Sequence, residues 1–221
     1  MKTYGNHILG AKKGSANPNK GYWTLAGILL VAAMLLTLLM GATSRTVADA
    51  EPYQEWEIPW TNKMLQAHIA ADCLRALGYE EGSQEIQALS MIWWAEKADR
   101  DYLASLIRYE AGSYWLPDEQ RELTGMVVLN RVKDSRYPDT IYGVITQPGQ
   151  YMPSYVNGPF NNIPRYCYDA AVKCLNGLVE CPDNVIFQSE GTQGVGIYKK
   201  IPSQFSTTYF CYGSPDPAKM G

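Results

Sequence analysis

The chain has 221 residues, 46% hydrophobic and 19% charged, with five cysteines, two histidines and a formal net charge of −3. That composition excludes a wholly disordered or collagen-like chain, and the acidic balance offers no electrostatic footprint for nucleic acid. At roughly 150 residues per domain, the length fits one domain with additions.

The charge is unevenly spread. Residues 1–50 hold five bases (Lys2, Lys12, Lys13, Lys20, Arg45) and one acid (Asp49), a balance of +4, which leaves 14 bases and 21 acids, or −7, for the rest. Between the two blocks runs an uncharged apolar segment, Trp23 to Met40, about the length a helix needs to cross a bilayer. Lysines before it and acids after it place residues 1–22 in the cytoplasm and the remainder outside. The segment is either a retained signal anchor in the cell membrane or a signal peptide cut near Ala48-Asp49-Ala50, which would make the protein secreted. Residues 41–60, proline-bearing and without a period, read as a linker.

Export puts all five cysteines (Cys73, Cys167, Cys174, Cys181, Cys211) where disulfides can persist. Cys167 and Cys174 fall in one predicted helix, from Pro164 to Asn176 and closed by Gly177, where seven residues rise about 10.5 Å, too far for the two to pair. Cys181 and Cys211 are the candidate partners, with at least one thiol left over; buried free thiols are the competing reading. No C-x-x-C or H-x-x-x-H spacing occurs, so neither metal nor cofactor is expected.

Thr61 reads as the N-cap of a helix ending before Gly78, and Ser83 to Asp99 as a second helix, the pair forming a stalk over residues 61–100. Trp93 and Trp94 could be a sugar platform, but an apolar stripe at helical spacing is expected to pack against the main domain. The catalytic domain is expected over 101–221. In its first helix Leu103, Leu106 and Ile107 set an apolar stripe whose next position is Glu110, just before Gly112. A carboxylate on a core-facing stripe is unusual, and partial withdrawal from water favours the protonated form that a general acid needs. A helix from Asp118 to Lys133 carries Leu123, Met126, Val127 and then Asn130 on one stripe, with Gly125 allowing close approach of a neighbour. The turn Gln147-Pro-Gly-Gln-Tyr151 and the Pro/Gly/Asn-rich stretch 152–163 suit a substrate-side loop. The runs 184–188 and 206–212 predict a small hairpin.

Histidine narrows the chemistry. His7 falls on the cytoplasmic side and His68 in the stalk, so triad, Cys/His and zinc-dependent mechanisms lack their imidazole. Asp118, Glu119 and Glu122 read as surface acids of a helix N-terminus, which leaves Glu110 as a lone candidate where hydrolytic glycosidases ordinarily use two carboxyl groups. A lone carboxylate suffices if it first protonates the glycosidic oxygen and then, as base, helps a hydroxyl of the same sugar attack its own anomeric carbon.

Residues 102–212 resemble the SleB/CwlJ-type cell wall hydrolase domain of spore cortex-lytic enzymes. The matching segments are Leu103-Ala-x-Leu-Ile-x-Tyr-Glu-Ala-Gly112, Val127-Val-Leu-Asn-Arg-Val132, Tyr137-Pro-Asp-Thr-Ile-Tyr-Gly-Val-Ile145, Gln147-Pro-Gly-Gln-Tyr151 and the helix Ala170-x-x-x-Cys-Leu-Asn-Gly177. The resemblance implies an α+β, mostly α, lysozyme-like lytic transglycosylase acting on peptidoglycan glycan strands, with the family's catalytic glutamate falling on Glu110. Cleavage between N-acetylmuramic acid and N-acetylglucosamine would give 1,6-anhydro products. Asn130, Gln147, Gln150 and Tyr151 are candidate sugar contacts, with Gln188 and Tyr209 as further candidates. Two rivals stand beside it, a muramidase that uses water and a non-catalytic, membrane-tethered wall-binding protein. The family's C-terminal pattern places a histidine or arginine before an aromatic pair, where this chain has Thr208-Tyr-Phe-Cys-Tyr212, and no peptidoglycan-binding repeat precedes the domain.

Overall fold

The structure, a computed structural model, describes residues 58–151, 162–216 and 218. The apolar segment 23–40, most of the linker and most of the stretch 152–163 lie outside the described residues, and among the described residues no helix is long and apolar enough to cross a membrane.

Among the described residues, five helices precede three strands: α1 (Asn62–Ala76), α2 (Gln84–Ala111), α3 (Asp118–Val132), α4 (Ile141–Thr146), α5 (Arg165–Leu175), β1 (Val185–Ser189), β2 (Gly196–Pro202) and β3 (Thr207–Tyr212). The fold is α+β and mostly helical. Helix starts follow the local chemistry: the side chains of Thr61, Ser83 and Thr140 accept hydrogen bonds from the amides of Met64, Ile86 and Gly143, groups that otherwise lack partners in a first turn. At the far end of α5, Gly177 takes φ +68° and lets the Leu178 amide return to the Lys173 carbonyl.

No break in secondary structure falls where stalk and catalytic domain are expected to meet. Nothing between Asp99 and Asp101 breaks a helix, and α2 runs unbroken for 28 residues, from the Ser83 cap to the turn that carries Glu110. Its N-terminal half pairs with α1. There Trp93 meets Trp60 (ring centroids 5.7 Å apart) and Trp94 (4.9 Å), and Trp60 meets His68 (5.0 Å), so Trp93 packs within the α1–α2 hairpin and Trp94 stays exposed.

The C-terminal half of α2 enters the main core, where Leu103, Leu106 and Ile107 pack with Met126, Val128, Ile141, Val144, Ile145, Ala170, Ala171 and Cys174 from α3, α4 and α5. Helix α3 is the centre of the molecule because both of its sides are covered. Its other face gives Leu123 and Val127 to a second cluster with Val185, Ile201 and Phe210 of the sheet. Burying a side chain of this size stabilises by about 1.5–3 kcal/mol, so these two clusters hold the helices in register.

The sheet has the order β1-β3-β2, with both pairs antiparallel. The two runs expected to form a hairpin do pair, as β1 with β3, but the chain between them supplies an additional edge strand, β2. Its buried residue is Ile201, and its outward lysines, Lys199 and Lys200, are the charges with which edge strands avoid pairing with other chains. All five cysteines are free thiols, and Cys167, Cys174 and Cys211 are buried, so the expected pairing of Cys181 or Cys211 is not formed.

Candidate active site

Glu110 sits in the last turn of α2, half-buried, continuing the stripe of Leu103, Leu106 and Ile107. Close packing aims this helix end. A methyl group at Gly125 would stand 2.8 Å from the Cys174 sulfur and 3.2 Å from Ile107 Cδ1, so only glycine lets α3 lie this close to α2 and α5. The backbone just past Glu110 is pinned twice. The Tyr166 hydroxyl on α5 donates to the Gly112 carbonyl (2.7 Å), and Arg121 Nη2 on α3 donates to the Ser113 carbonyl (2.7 Å). Arg121 also lies over the Tyr166 ring, 4.2 Å from its centroid, which joins the two pins into one unit.

The acids of residues 101–216 sort by environment. Asp118 pairs with Arg121 (2.7 Å), Glu119 with Lys199 (2.6 Å), Glu122 with Lys173 (2.6 Å), Asp134 with Arg136 (2.5 Å) and Asp169 with Arg165 (2.7 Å). Asp101 pairs with Arg100 and Lys97, Asp183 with Lys133, and Asp216 accepts from Ser135. Asp139, Glu180 and Glu190 stand in solvent. Among the described residues, Glu110 is the one partly buried acid of this stretch with neither an ion pair nor a hydrogen bond, and residues 152–161 contain no acid at all. A partly buried carboxylate left unpaired is uncommon in ordinary structural positions and marks a candidate functional site.

Tyr151 lies near Glu110 and shares its electrostatic environment. Burial pushes its phenol up to about 12; the Arg131 guanidinium opposes that rise, while the Glu110 carboxylate and Tyr137 add to it. Arg131, 6% exposed, donates through Nη1 to the Tyr151 hydroxyl (3.1 Å) and through Nε to the Ile186 carbonyl (2.8 Å). Its guanidinium carbon stands 5.3 Å from the Tyr137 ring centroid and 5.4 Å from that of Tyr151, and no carboxylate lies within ion-pair distance among the described residues. A buried guanidinium held between two rings keeps a fixed positive field at the Tyr151 hydroxyl.

The remaining candidate residues divide. Gln147 caps α4 and keeps a buried Oε1 without a hydrogen-bond partner among the described residues, while Gln150 is exposed in the turn that closes with its amide on the Gln147 carbonyl (3.2 Å). Both flank Tyr151 in sequence. Asn130 is different: it is 0% exposed, and its amide donates to the carbonyls of Pro182 (2.8 Å) and Val185 (3.0 Å), tying α3 to the entry of β1. That burial leaves it no surface to offer a sugar, so the expected contact becomes a structural anchor. Gln188 pairs across to Phe210, and Tyr209 projects from the opposite sheet face to Phe210, beneath the Lys200 ammonium (5.8 Å). The site therefore brings Glu110 and Tyr151 together and adds Arg131, Tyr137, Tyr166 and Arg121, none of which the periodicity of the sequence singles out. His68 is remote: Trp93, to which it connects through Trp60, stands 17 residues before Glu110 on α2, about 25 Å along the helix axis.

Residues 117–209 match the family model described as Cell Wall Hydrolase. The chain carries a cell wall hydrolase domain. The match supports the SleB/CwlJ-type resemblance and spans α3 through the first half of β3. It includes Arg131, Gln147, Gln150 and Tyr151, and it begins seven residues after Glu110. No curated protein and no solved structure matches the chain. The match supports an enzyme that acts on peptidoglycan as the general chemistry of this domain.

Proposed function

We propose that the protein is a lytic transglycosylase of peptidoglycan with Glu110 as its general acid and base, in a lysozyme-like setting. The observation that carries this reading is the state of Glu110 as the unpaired, half-buried acid of the domain, beside a fixed Arg131–Tyr151 pair. The protonated Glu110 carboxyl gives its proton to the oxygen linking N-acetylmuramic acid C1 to N-acetylglucosamine, and the C1–O bond breaks. The resulting carboxylate takes the proton of the muramic C6 hydroxyl as that oxygen bonds to C1. A 1,6-anhydro end forms, and Glu110 is again protonated, with no water consumed. Tyr151, Gln147 and Gln150 hold the sugar, and Arg131 balances the carboxylate in the second half of the cycle. A muramidase would need a second acid to activate water, and every other acid of residues 101–216 is paired, hydrogen-bonded or in open solvent.

We further infer that residues 23–40 anchor the chain in the cell membrane with its C-terminal domain outside. The linker 41–60 can then extend at most about 70 Å, enough to present the domain to the wall while keeping it at the membrane.

The test is digestion of purified sacculi by the full-length chain in mild detergent and by its Glu110→Gln variant, followed by mass spectrometry of the released muropeptides. Anhydro ends from the wild type, with release reduced at least a hundredfold in the variant, are the expected result. Reducing ends would overturn the transglycosylase assignment. Equal release by both proteins would remove Glu110 from the chemistry, and no release by either would leave a wall-binding protein.

A further inference from the structure

Immediately past Glu110, the chain places two aromatic residues in solvent. Tyr114 is 81% and Trp115 45% exposed, and they occupy the middle of a turn closed by the Leu116 amide on the Ser113 carbonyl (3.0 Å). A third aromatic arrives from the other end of the domain. Phe205, 76% exposed, sits at the tip between β2 and β3, in a turn closed by the Ser203 amide on the Ser206 carbonyl (2.8 Å) and the Ser206 amide on the Ser203 hydroxyl (3.2 Å). The rings meet edge-on, Tyr114 to Trp115 at 4.9 Å and Trp115 to Phe205 at 5.8 Å between centroids.

Both turns are fixed from behind. Arg121 holds the Ser113 carbonyl, and Gln120 Nε2 donates to Thr208 Oγ1 (2.9 Å), linking the start of α3 to β3 just beyond the Phe205 turn. A contiguous aromatic patch in water is a standing cost that soluble proteins rarely carry without a ligand. Here the cost is incurred on two rigid turns from distant parts of the chain.

We propose that Tyr114, Trp115 and Phe205 form an aromatic platform that binds the glycan strand as a subsite adjoining Glu110, an inference that rests on the proposed glycan-cleaving function. One face of a pyranose presents C–H groups that pack on the electron-rich face of an aromatic ring, and its edge presents hydroxyls. The platform has the matching rim: Ser113, Ser203, Gln204 and Ser206 flank the rings. Neither segment, 112–117 or 202–207, contains a charged residue, so the patch lacks the lysines and arginines with which a protein holds an anionic lipid surface. Position also selects the glycan. Trp115 follows Glu110 by five residues, so its Cα lies at most about 18 Å from that of the acid, a few sugar units along one strand.

The experiment measures kcat and KM of the full-length chain in mild detergent on soluble glycan strands of graded length, for the wild type and for Trp115→Ala, Phe205→Ala and Trp115→Phe. The platform requires about a tenfold rise in KM on long strands for both alanine variants, with kcat nearly unchanged, no effect on the shortest cleavable strands, and recovery in Trp115→Phe. Unchanged KM in an active protein would overturn the platform and leave the proposed function intact. Should the wild type cleave nothing, binding of the same proteins to intact sacculi decides: weaker retention of both alanine variants keeps the platform, and equal retention removes it. Fluorescence quenching by brominated lipids that depends on Trp115 would assign the patch to the membrane. A Phe205-dependent change in sedimentation with unaltered KM would assign it to self-association; either overturns the proposal.

Discussion

Glu110 and Arg131 differ in what the fold asks of them. Glu110 makes no hydrogen bond among the described residues, so Glu110→Gln should change stability by no more than about 0.5 kcal/mol while abolishing cleavage, a separation readable from paired melting and digestion measurements. Arg131 is the reverse, because its two hydrogen bonds span the site. Arg131→Met leaves the Tyr151 hydroxyl and the Ile186 carbonyl without their donor, and should cost about 1–3 kcal/mol in urea unfolding together with most of the activity. Tyr151→Phe removes only the acceptor, so it should show a smaller stability loss than Arg131→Met and a reduced rate. Equal stability of Arg131→Met and wild type would refute the bracing role. The half-buried place of Glu110 on the α2 stripe was legible in the sequence because its period is local, three or four residues from Leu106 and Ile107. Arg131, Arg121 and Tyr166 were not, because each acts on a backbone carbonyl 55, 8 or 54 residues away, and no local pattern encodes such a partner. Asn130 obeyed the same local rule as Glu110 and led elsewhere, since its stripe faces the loop before β1.

Among the elements, the contact of α2, α3 and α5 is the one that positions the acid. Gly125 on α3 marks their closest approach, and the sequence disclosed it, because a glycine in the middle of an apolar stripe has few other uses. In Gly125→Ala the added methyl enters the space of the Cys174 sulfur and Ile107 Cδ1, so α2 or α5 must shift. The expected cost is about 1–3 kcal/mol in thermal or denaturant unfolding, with a loss of kcat larger than Glu110's distance from the substitution would suggest. A fully stable, fully active Gly125→Ala would show that the helix contact is slack. The continuity of α2 and the existence of β2 escaped the sequence for opposite reasons. Residues 99–101 offer no breaker yet change from stalk-like to core-like patterning, which invited a boundary. Strand β2 is an exposed edge with one buried residue, too weak a period to register.

Across the whole molecule, buried thiols tie stability to pH. Burial pushes the Cys167 thiol up to about 12 and Cys181 up to about 11, and raises Cys174 further still. These groups keep their protons in the folded chain and lose them in the unfolded chain near pH 9, so the unfolded state binds fewer protons above that value. Stability is therefore complete below about pH 9 and falls as pH rises through 11 and 12, where the Tyr151 phenol, held up to about 12 against an ordinary value of 10, adds to the loss. Unfolding free energies from urea titrations should drop between pH 7 and 10.5 by an amount on the order of a few kcal/mol, and replacing Cys167 and Cys174 together by alanine should flatten the slope. A flat wild-type profile would contradict burial of these thiols.

Charge distribution leads to the last expectation, which concerns how the enzyme meets its substrate. Residues 51–221 carry −7, and the wall they are proposed to cleave bears carboxylates on its stem peptides. Long-range electrostatics therefore oppose the encounter, and attraction has to come from short-range contacts: the exposed rings of Tyr114, Trp115 and Phe205, hydrogen bonds from the Gln147–Tyr151 turn, and confinement by the proposed anchor. Salt shortens the range of the repulsion to about 8 Å at physiological ionic strength and to about 3 Å at 1 M, and it hardly touches stacking. Retention of the full-length Glu110→Gln chain on sacculi should accordingly hold steady or strengthen between low salt and about 0.5 M sodium chloride, the reverse of what a basic, charge-driven wall binder shows. A steep loss of binding over that range would mean that a local cationic patch dominates the average charge, and Lys199 and Lys200 on the edge strand would be the first residues to replace.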